Sequence, residues 1–494
     1  MAGIGISLNK IFGKNTLSSS LYGFAYSAAV TISPMFLIIG NIMLMQWVLG
    51  YSKTGYILRE LFSCTILYIF IFALLCAAPF NAVLSRYLSD TIFEERYEDI
   101  MPCYYLGLLL NLIPSVILGV LFCLHEYYVG GVALYYVCTG FLGFISLVIV
   151  FYSMLYLSIC KDYKKISWYY LLGMVAAFLL SLVFVWGFSM EVTYSMLLAL
   201  TIGFFLTGCM EYAKIRGYFQ KNSNRYRLVF IYFGRYWELI FTNFFYTLGL
   251  YVHNFVFWTT DMKMVVADSF VCAQPYDMAS CLAMFTNISA TIIFIARVEM
   301  HFSDRYRKYS EAVIGGRGSD IELAKKRMFG QLDTELMNLV RIQFCISVVI
   351  FLICVIFLPG LGFSGLTMRI YPCLAAGYFI LFLMYAEILF LYYYNDLNGA
   401  LLTSIIFCGV TFLVSMAARE FPDYWYGVGV VAGSFAGFTS AYGRLRWVKK
   451  HLDTHIFCRG TLLKKGTGKK PSGKVYDVYG TLRRRKRIAA KKKV

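Results

Sequence analysis

The chain has 494 residues, of which 60% are hydrophobic and 15% are charged, against about 25% charged residues in soluble domains. So little charge could not cover the surface of a soluble protein of this length, which excludes a water-soluble enzyme. The net charge of +18 is concentrated in residues 444–494, which hold 18 Lys and Arg against Asp453 and Asp477. The basicity therefore belongs to a tail and does not indicate nucleic-acid binding by the whole chain.

Twelve apolar segments follow one another along the chain, and each is long enough to cross a bilayer at about 20 residues per helix. Backbone groups in lipid must find partners within the segment, so each segment is predicted to be a helix. The segments are 21–49, 62–85, 104–124, 132–157, 167–188, 193–212, 236–259, 270–296, 338–358, 371–393, 399–418 and 424–443. The sequence thus predicts an all-α polytopic membrane protein with twelve transmembrane helices.

The distribution of basic residues predicts the orientation and the domains. If the N-terminus is cytoplasmic, the cytoplasmic ends and loops hold 40 Lys and Arg and the opposite loops hold 5, so both termini are predicted to be cytoplasmic. A basic cytoplasmic linker at 213–234 separates an N-terminal six-helix half, 1–212, from a C-terminal half, 235–443. Residues 444–494 are predicted to be a disordered, basic cytoplasmic tail.

The long connection at 297–337, between the eighth and ninth spans, carries a second helical signal. Ser319 and Glu322 have the spacing of a capping box, and apolar residues recur after them at helical spacing. This predicts a short amphipathic helix on the inner membrane face that runs into the ninth span. A plain solvated connector is the alternative.

A faint repeat relates the two halves. Arg86 and Asp90 follow the second span, and Arg297 and Asp304 follow the eighth, with a Ser before each Asp. An offset of six spans is what two parallel six-helix halves would give. We predict that these four residues form a cytoplasmic gate.

The motifs of common enzymes are missing from the sequence. It contains no G-x-x-x-x-G-K-[ST] loop, no Asp-x-Asp pair and no H-E-x-x-H, and its five histidines are scattered. These absences favour a transporter over an enzyme. No catalytic residue, cofactor or metal site is predicted.

Ionisable and amide side chains within the spans are the candidates for function, because they are costly in a membrane. Arg235 and Glu238 are three residues apart and could pair on one helix face, which could equally be an interfacial ion pair. Glu387 lies in an apolar run, where a protonated structural role is the alternative. The predicted translocation path comprises Asn41, Gln46, Arg235, Glu238, Asn243, His253, Glu387, Asn395 and Asp396.

Three stretches resemble a known family. The opening MAGIGISLNKIF, the GLYVHNFVFW of the seventh span and the Tyr-Tyr-Asn-Asp end of the tenth are similar to PelG. PelG proteins are the Pel exopolysaccharide transporters of the multidrug/oligosaccharidyl-lipid/polysaccharide flippase superfamily. The resemblance covers about residues 1–455 and leaves out the basic tail.

The resemblance implies an inner-membrane exporter of a hexosamine-rich polysaccharide. It implies a cytoplasmic glycosyltransferase similar to PelF, and membrane partners similar to PelD and PelE. Anionic lipids are expected to bind the basic tail, and no nucleic-acid partner is expected. Two alternatives stay open: a flippase for lipid-linked oligosaccharides, whose pyrophosphate would require cations in the cavity, and a membrane-embedded acyltransferase or polymerase.

Overall fold

The computed structural model of the protein describes residues 17–160, 162–293, 300–361 and 365–457. Fourteen α-helices lie in this part of the chain. They are α1 (Leu17–Val48), α2 (Tyr56–Phe93), α3 (Ile100–Tyr128), α4 (Leu134–Ile159), α5 (Tyr163–Leu182), α6 (Val192–Tyr218), α7 (Tyr226–Arg235), α8 (Trp237–Phe257), α9 (Gln274–Ile293), α10 (Met300–Gly315), α11 (Gly318–Phe357), α12 (Gly365–Tyr393), α13 (Leu397–Ala418) and α14 (Val428–Phe457).

Twelve of these helices coincide with the twelve predicted spans, and α7 and α10 lie in the two long connections. Eight helices of the described ranges are long and apolar enough to cross a membrane by length and composition alone. The protein is therefore an all-α, multi-pass membrane protein, as predicted.

A short β-hairpin interrupts the predicted eighth span. Strands β1 (Met264–Val266) and β2 (Phe270–Cys272) pair antiparallel, with Val265 opposite Val271. The helix of this span begins at Gln274, so the predicted start at 270 is wrong. Phe270, Val271 and Cys272 are apolar whether they form a strand or a helix, and hydropathy alone did not distinguish the two.

The packing of the helices repeats with an offset of six spans. In the first half α2 packs on α3 and α4, and in the second half α9 packs on α11 and α12. Likewise α1 packs on α5, and α8 packs on α13. The contacts between the halves are related by the same offset: α2 contacts α8, and α1 contacts α9. The twelve spans thus form two six-helix halves that meet along four helices.

A glycine stripe on α14 permits close packing, as its small-xxx-small spacing predicts. A Cβ at Gly429 would collide with Ser415, and one at Gly433 would collide with Thr411, both on α13. A Cβ at Gly437 would collide with Met384 on α12. The stripe therefore lets α14 lie against two helices of its half.

Helix α11 continues without a break from the connection into the ninth span. Its N-cap is Arg317, whose backbone N–H donates to the Asp320 carboxylate at 3.1 Å. The predicted capping box at Ser319 and Glu322 is therefore wrong by two residues. The amphipathic segment and the ninth span form one helix of 40 residues.

The linker between the halves is fastened to the turn between α2 and α3. The buried Asp99 carboxylate lies 3.0 Å from Arg96 and 3.7 Å from Arg225, and it accepts a hydrogen bond from Ser223. Helix α7 then packs on α2 and α3. The predicted linker at 213–234 thus includes an ordered helix that contacts the first half.

The contacts within the chain divide it after Arg446 into two units. Helix α14 extends to Phe457, so the first residues of the predicted tail are helical. Residues 458–494 lie outside the described ranges, and their disorder stays a prediction.

Candidate translocation site

Asn243 of α8 lies where the two halves meet. Its Nδ2 donates to the Ala78 carbonyl oxygen on α2 at 3.1 Å, and its Oδ1 accepts from the Tyr392 hydroxyl on α12 at 3.5 Å. One neutral side chain therefore links the N-terminal half to two helices of the C-terminal half. An amide both donates and accepts hydrogen bonds, so such a link can be exchanged for bonds to a polar, uncharged substrate.

Arg235 and Glu238 lie on two helices rather than one. Helix α7 ends at Arg235 and α8 begins at Trp237, with Tyr236 between them at φ −123° and ψ 36°. This break removes the spacing on which the predicted pair depended, and no ion pair joins the two side chains in the described structure. Arg235 is exposed beside the Tyr236 ring, whereas the Oε2 of Glu238 is buried without a described hydrogen-bond partner. The predicted pairing is wrong.

His253 is fully buried in a network that joins three helices of the second half. Its Nδ1 lies 2.9 Å from the Tyr276 hydroxyl on α9, and its Nε2 lies 3.4 Å from the Tyr378 hydroxyl on α12. The Tyr378 hydroxyl also lies 3.2 Å from Ser280. Both ring nitrogens therefore have partners, which makes His253 a link between helices.

Asp277 of α9 is the best-bonded carboxylate of this network, and sequence analysis missed it. It accepts from Asn254 at 2.7 Å, from the Trp258 indole at 3.0 Å and from the Ala273 backbone N–H at 3.0 Å. With three donor groups around it, the carboxylate is satisfied without a neighbouring cation. Its position in the first turn of a helix after Gln-Pro was the available signal.

Glu387 of α12 is buried in the bundle, only 2% exposed, between Ala386 and Ile388. Its Oε2 has no hydrogen-bond partner among the described residues. In this it differs from Asp277, which is surrounded by donors. A role for Glu387 on a translocation path stays a prediction.

Asn41 and Gln46 lie on α1 in the first half. The Asn41 amide nitrogen lies 3.7 Å from the sulfur of Met174 on α5, and Gln46 is half-buried. Thioether sulfur is a weak acceptor, so this amide is held loosely. No hydrogen bond of the described residues joins either of them to Asn243.

Asn395 and Asp396 form the turn between α12 and α13. Asn395 is exposed with φ at 55°, a left-handed conformation that Asn tolerates. Asp396 is the N-cap of α13, accepting from the Gly399 N–H at 3.4 Å, and it binds the Arg444 guanidinium through both oxygens. Capping and ion pairing account for Asp396, and its place on a path stays a prediction.

Two of the predicted gate residues contact the linker helix α7 and the break that follows it. The Arg86 guanidinium lies 4.2 Å from the centroid of the Tyr236 ring, and Asp90 accepts from the Tyr232 hydroxyl at 3.0 Å. Burial, aided by the Asp90 charge, raises the pKa of Tyr232 to about 12, so this phenol remains a donor at neutral pH. Arg297 lies outside the described residues, as does the side chain of Asp304.

A cavity of about 510 Å³ lies among α2, α3 and α4, away from every predicted site residue. Phe72, Phe122 and Phe144 line it, with Glu126 at one edge. The side chains of Leu118 and Leu121 on its rim are exposed on the outer face of α3. An apolar cavity that opens on this side suits lipid better than a hydrophilic substrate.

Glu211 of α6 is a second carboxyl that sequence analysis missed. It is completely buried, and both its oxygens lack hydrogen-bond partners in the described part of the chain. It lies near the end of an apolar span, before Lys214 and Arg216, where charged residues are common. Within the same part of the chain, no group of three or more His, Cys, Asp or Glu residues could hold a metal ion.

Solved structures with this arrangement of helices are transporters. A MATE transporter, ClbM, in complex with Rb⁺ matches with a TM-score of 0.59 and 12% identity, covering 87% of this chain and 96% of that one. An outward-facing multidrug resistance MATE family transporter of the MOP superfamily matches at 0.58 and 14%, covering 86% and 96%. The bent form of the Vibrio cholerae MATE transporter VcmN matches at 0.57 and 11%, covering 88% and 99%.

The family comparison is more specific. No curated protein matches the chain. The family model PelG, described as "Putative exopolysaccharide Exporter (EPS-E)", matches residues 1–457. Family and fold point to a transporter rather than an enzyme, with twelve helices in two halves as in the MATE proteins. The chain belongs to the PelG family of membrane transporters.

Proposed function

We propose that this protein exports a hexosamine-rich exopolysaccharide across the cytoplasmic membrane, with both termini in the cytoplasm. The observation that carries the proposal is the PelG match over residues 1–457, on a fold shared with MATE transporters. The orientation rests on the 40 basic residues on one side against 5 on the other.

The chemistry at the contact between the halves supports a neutral, hydroxyl-rich substrate. Asn243 and Tyr392 present an amide and a phenol there, joined by a long hydrogen bond of 3.5 Å. Sugar hydroxyls both donate and accept, as these groups do. A substrate carrying pyrophosphate would instead favour a cluster of Arg and Lys.

A cytoplasmic glycosyltransferase similar to PelF would supply the polymer, with PelD-like and PelE-like membrane partners. The exposed basic side chains of α10 and α11, Arg307, Lys308, Lys326 and Arg327, offer a charged surface on the proposed cytoplasmic face. The basic tail adds a further charged segment that would bind anionic lipids. The basic surface of α10 and α11 and the basic tail would both favour acidic partners at the membrane surface.

The export step is tested in cells whose synthase stays active. Deleting the gene should abolish surface polymer and leave polymer or its precursors inside, and the wild-type gene should restore export. The Asn243→Ala variant should export several-fold less, whereas Leu413→Ala, at a 66% exposed position of α13, should export normally. Unchanged surface polymer in the deletion strain contradicts the proposal, and accumulation of a lipid-linked oligosaccharide would favour the flippase alternative.

A second experiment tests whether a cytoplasmic glycosyltransferase binds this protein. We expect affinity purification of the full chain from solubilised membranes to recover a cytoplasmic glycosyltransferase. Charge reversal of Lys326 and Arg327 should lower its recovery, and Glu322→Gln on the same helix should not. Equal recovery with both variants would exclude α11 as the docking surface.

A further inference from the structure

The β-hairpin at 264–272 connects two helices of the second half, yet it packs on the first half. Both of its strands contact α2. The Tyr68 hydroxyl of α2 accepts from the backbone N–H of Val271 at 3.0 Å and donates to the carbonyl oxygen of the same residue at 2.8 Å. A Cβ at Gly130, between α3 and α4, would collide with the Ala267 carbonyl oxygen in the hairpin turn. The hairpin is therefore a further contact between the two halves.

Two cysteines meet in this contact, one from each half. The Sγ atoms of Cys64 on α2 and Cys272 on β2 lie 3.2 Å apart, and both side chains are buried. Cys64 lies one helical turn before Tyr68 and on the same face of α2, and Cys272 directly follows Val271. The two hydrogen bonds between Tyr68 and Val271 therefore hold one thiol against the other. Tyr68 is itself packed on the Trp258 indole, with ring centroids 5.1 Å apart.

The two cysteines lie on the side of the membrane where disulfides persist, in the orientation that forms part of the proposed function and on which this inference rests. Cys64 lies near the start of α2, which begins at Tyr56 after the α1–α2 connection, and Cys272 lies in the α8–α9 connection. Both connections belong to the loops that hold few basic residues, which the distribution of charge places outside the cytoplasm. Disulfides form and persist there, whereas cytosolic thiols are kept reduced.

We propose that Cys64 and Cys272 form a disulfide bond that ties the hairpin of the second half to α2 of the first half. The oxidant is a protein or small-molecule disulfide on the outer side of the membrane. One cysteine thiolate attacks this disulfide, which forms a mixed disulfide and releases one thiolate of the oxidant. The other cysteine thiolate then attacks the cysteine sulfur of the mixed disulfide and releases the second. Two electrons pass to the oxidant, and the protons of the two cysteine thiols pass to its released thiolates.

Burial determines when this bond forms. A bulky oxidant does not reach either sulfur in the packed structure, so oxidation takes place before the hairpin packs on α2. After packing, the same burial shields the bond from reductants. The bridge closes a loop that includes the rest of the first half and the linker, and a bridge across a long loop restricts the unfolded chain strongly. The hairpin then stays on α2 while the halves move.

The bond can be detected in the wild-type full chain without any variant. Free thiols are blocked with N-ethylmaleimide as membranes are dissolved in denaturant, and the protein is digested without reductant. Mass spectrometry should find the peptide of Cys64 joined to that of Cys272, and reduction should separate the two. The joined pair should be lost in Cys64→Ser and kept in Cys76→Ser, which changes another buried cysteine of α2. If both peptides carry the blocking group in wild type, or if either is joined to a different cysteine, the proposal is overturned.

The effect on stability has its own readout in the melting temperature of the detergent-solubilised protein. Either single variant, Cys64→Ser or Cys272→Ser, removes the whole bridge, so both should melt several degrees below wild type and the double variant should melt no lower. Cys76→Ser should melt near wild type. Losses that add up in the double variant would show two thiols that pack independently as small apolar groups and would overturn the proposal. If a serine variant does not fold, the matching alanine variant takes its place.

The bond and the export function fail separately in these experiments. A joined peptide pair in a protein whose deletion leaves surface polymer unchanged would support the disulfide and contradict the export function. Blocked thiols in a protein whose deletion abolishes surface polymer would overturn the disulfide and leave the export function standing.

Discussion

Two buried carboxyls, one in each half, have opposite surroundings. Asp277 in the second half is held by three donor groups, from Asn254 of α8, from Trp258 just after α8 and from the backbone just before its own helix, whereas Glu211 in the first half has none among the described residues. Both are at most 8% exposed, so burial does not distinguish them. The number of donors distinguishes a buried carboxyl that holds helices together from one that the described structure leaves without hydrogen bonds.

Removing the donor-held carboxylate should have the largest effect on stability. The Asp277→Ala variant leaves the Asn254 amide, the Trp258 indole and the Ala273 N–H buried without their acceptor, at about 1–3 kcal/mol for each group. We expect a loss of roughly 3–5 kcal/mol, seen as a large drop in the melting temperature of the detergent-solubilised protein. Asp277→Asn keeps one acceptor and should lose less. An unchanged melting temperature in Asp277→Ala would show that the three donor groups around Asp277 do not stabilise the second half.

A second donor-held carboxylate lies in the α12–α13 turn, and its loss should have a smaller effect. Asp396→Ala removes the cap of α13 and leaves Arg444 without this partner. Because the Arg444 side chain is 30% exposed, water compensates in part, and we expect a loss of about 2 kcal/mol. Arg444→Lys should lose less than Asp396→Ala, because a charge remains while the bidentate contact is lost. Equal melting temperatures for wild type, Asp396→Ala and Arg444→Lys would contradict a stabilising role of Asp396 as helix cap and ion-pair partner.

The sequence predicted the helices well and the contacts of polar residues poorly. Long apolar runs determine helices because a membrane permits little else, and all twelve predicted spans correspond to helices. The break at Tyr236 has no proline or glycine beside it on the α8 side, so Arg235 and Glu238 looked like neighbours on one face. Asp277 and Glu211 both lie near span ends, where charge is common, and their partners or lack of them depend on other helices.

Carboxyls without donors should affect function more than stability. We expect the free energy of unfolding of Glu387→Gln to stay within about 1 kcal/mol of the wild-type value. The amide fills the same volume as the carboxyl, and the replacement breaks no described hydrogen bond of Oε2. Glu211→Gln should behave alike. Polymer export should fall in both, as in Glu238→Gln, while protein levels in the membrane stay near normal. A drop in melting temperature as large as that of Asp277→Ala would show that these carboxyls, like Asp277, are held by hydrogen-bond donors.

The contacts of Asp99 that fasten the linker to the α2–α3 turn offer a test within the first half. Asp99→Asn weakens contacts with Arg96 and Arg225 but keeps an acceptor for Ser223, so we expect a loss of about 1 kcal/mol or less. Hydrogen exchange should rise locally at residues 221–226 and not in the spans. Exchange that rises throughout the first half would show that Asp99 stabilises the bundle, as Asp277 does in the second half.

The smallest effect on the bundle is expected from removing residues 458–494. This segment carries a dense set of Lys and Arg with few apolar residues, so it has little to bury against the bundle. Truncation after Phe457, the last residue of α14, should leave membrane insertion and melting temperature unchanged. Export should fall only in part, because each basic residue near an anionic membrane surface contributes about 1 kcal/mol to binding. Binding of the full chain to anionic vesicles should weaken with added salt, and that salt dependence should shrink in the truncated protein. A truncated protein that fails to insert or melts early would mean that the tail packs against the bundle, and stability in this protein would then depend on more than the donor-held carboxylates.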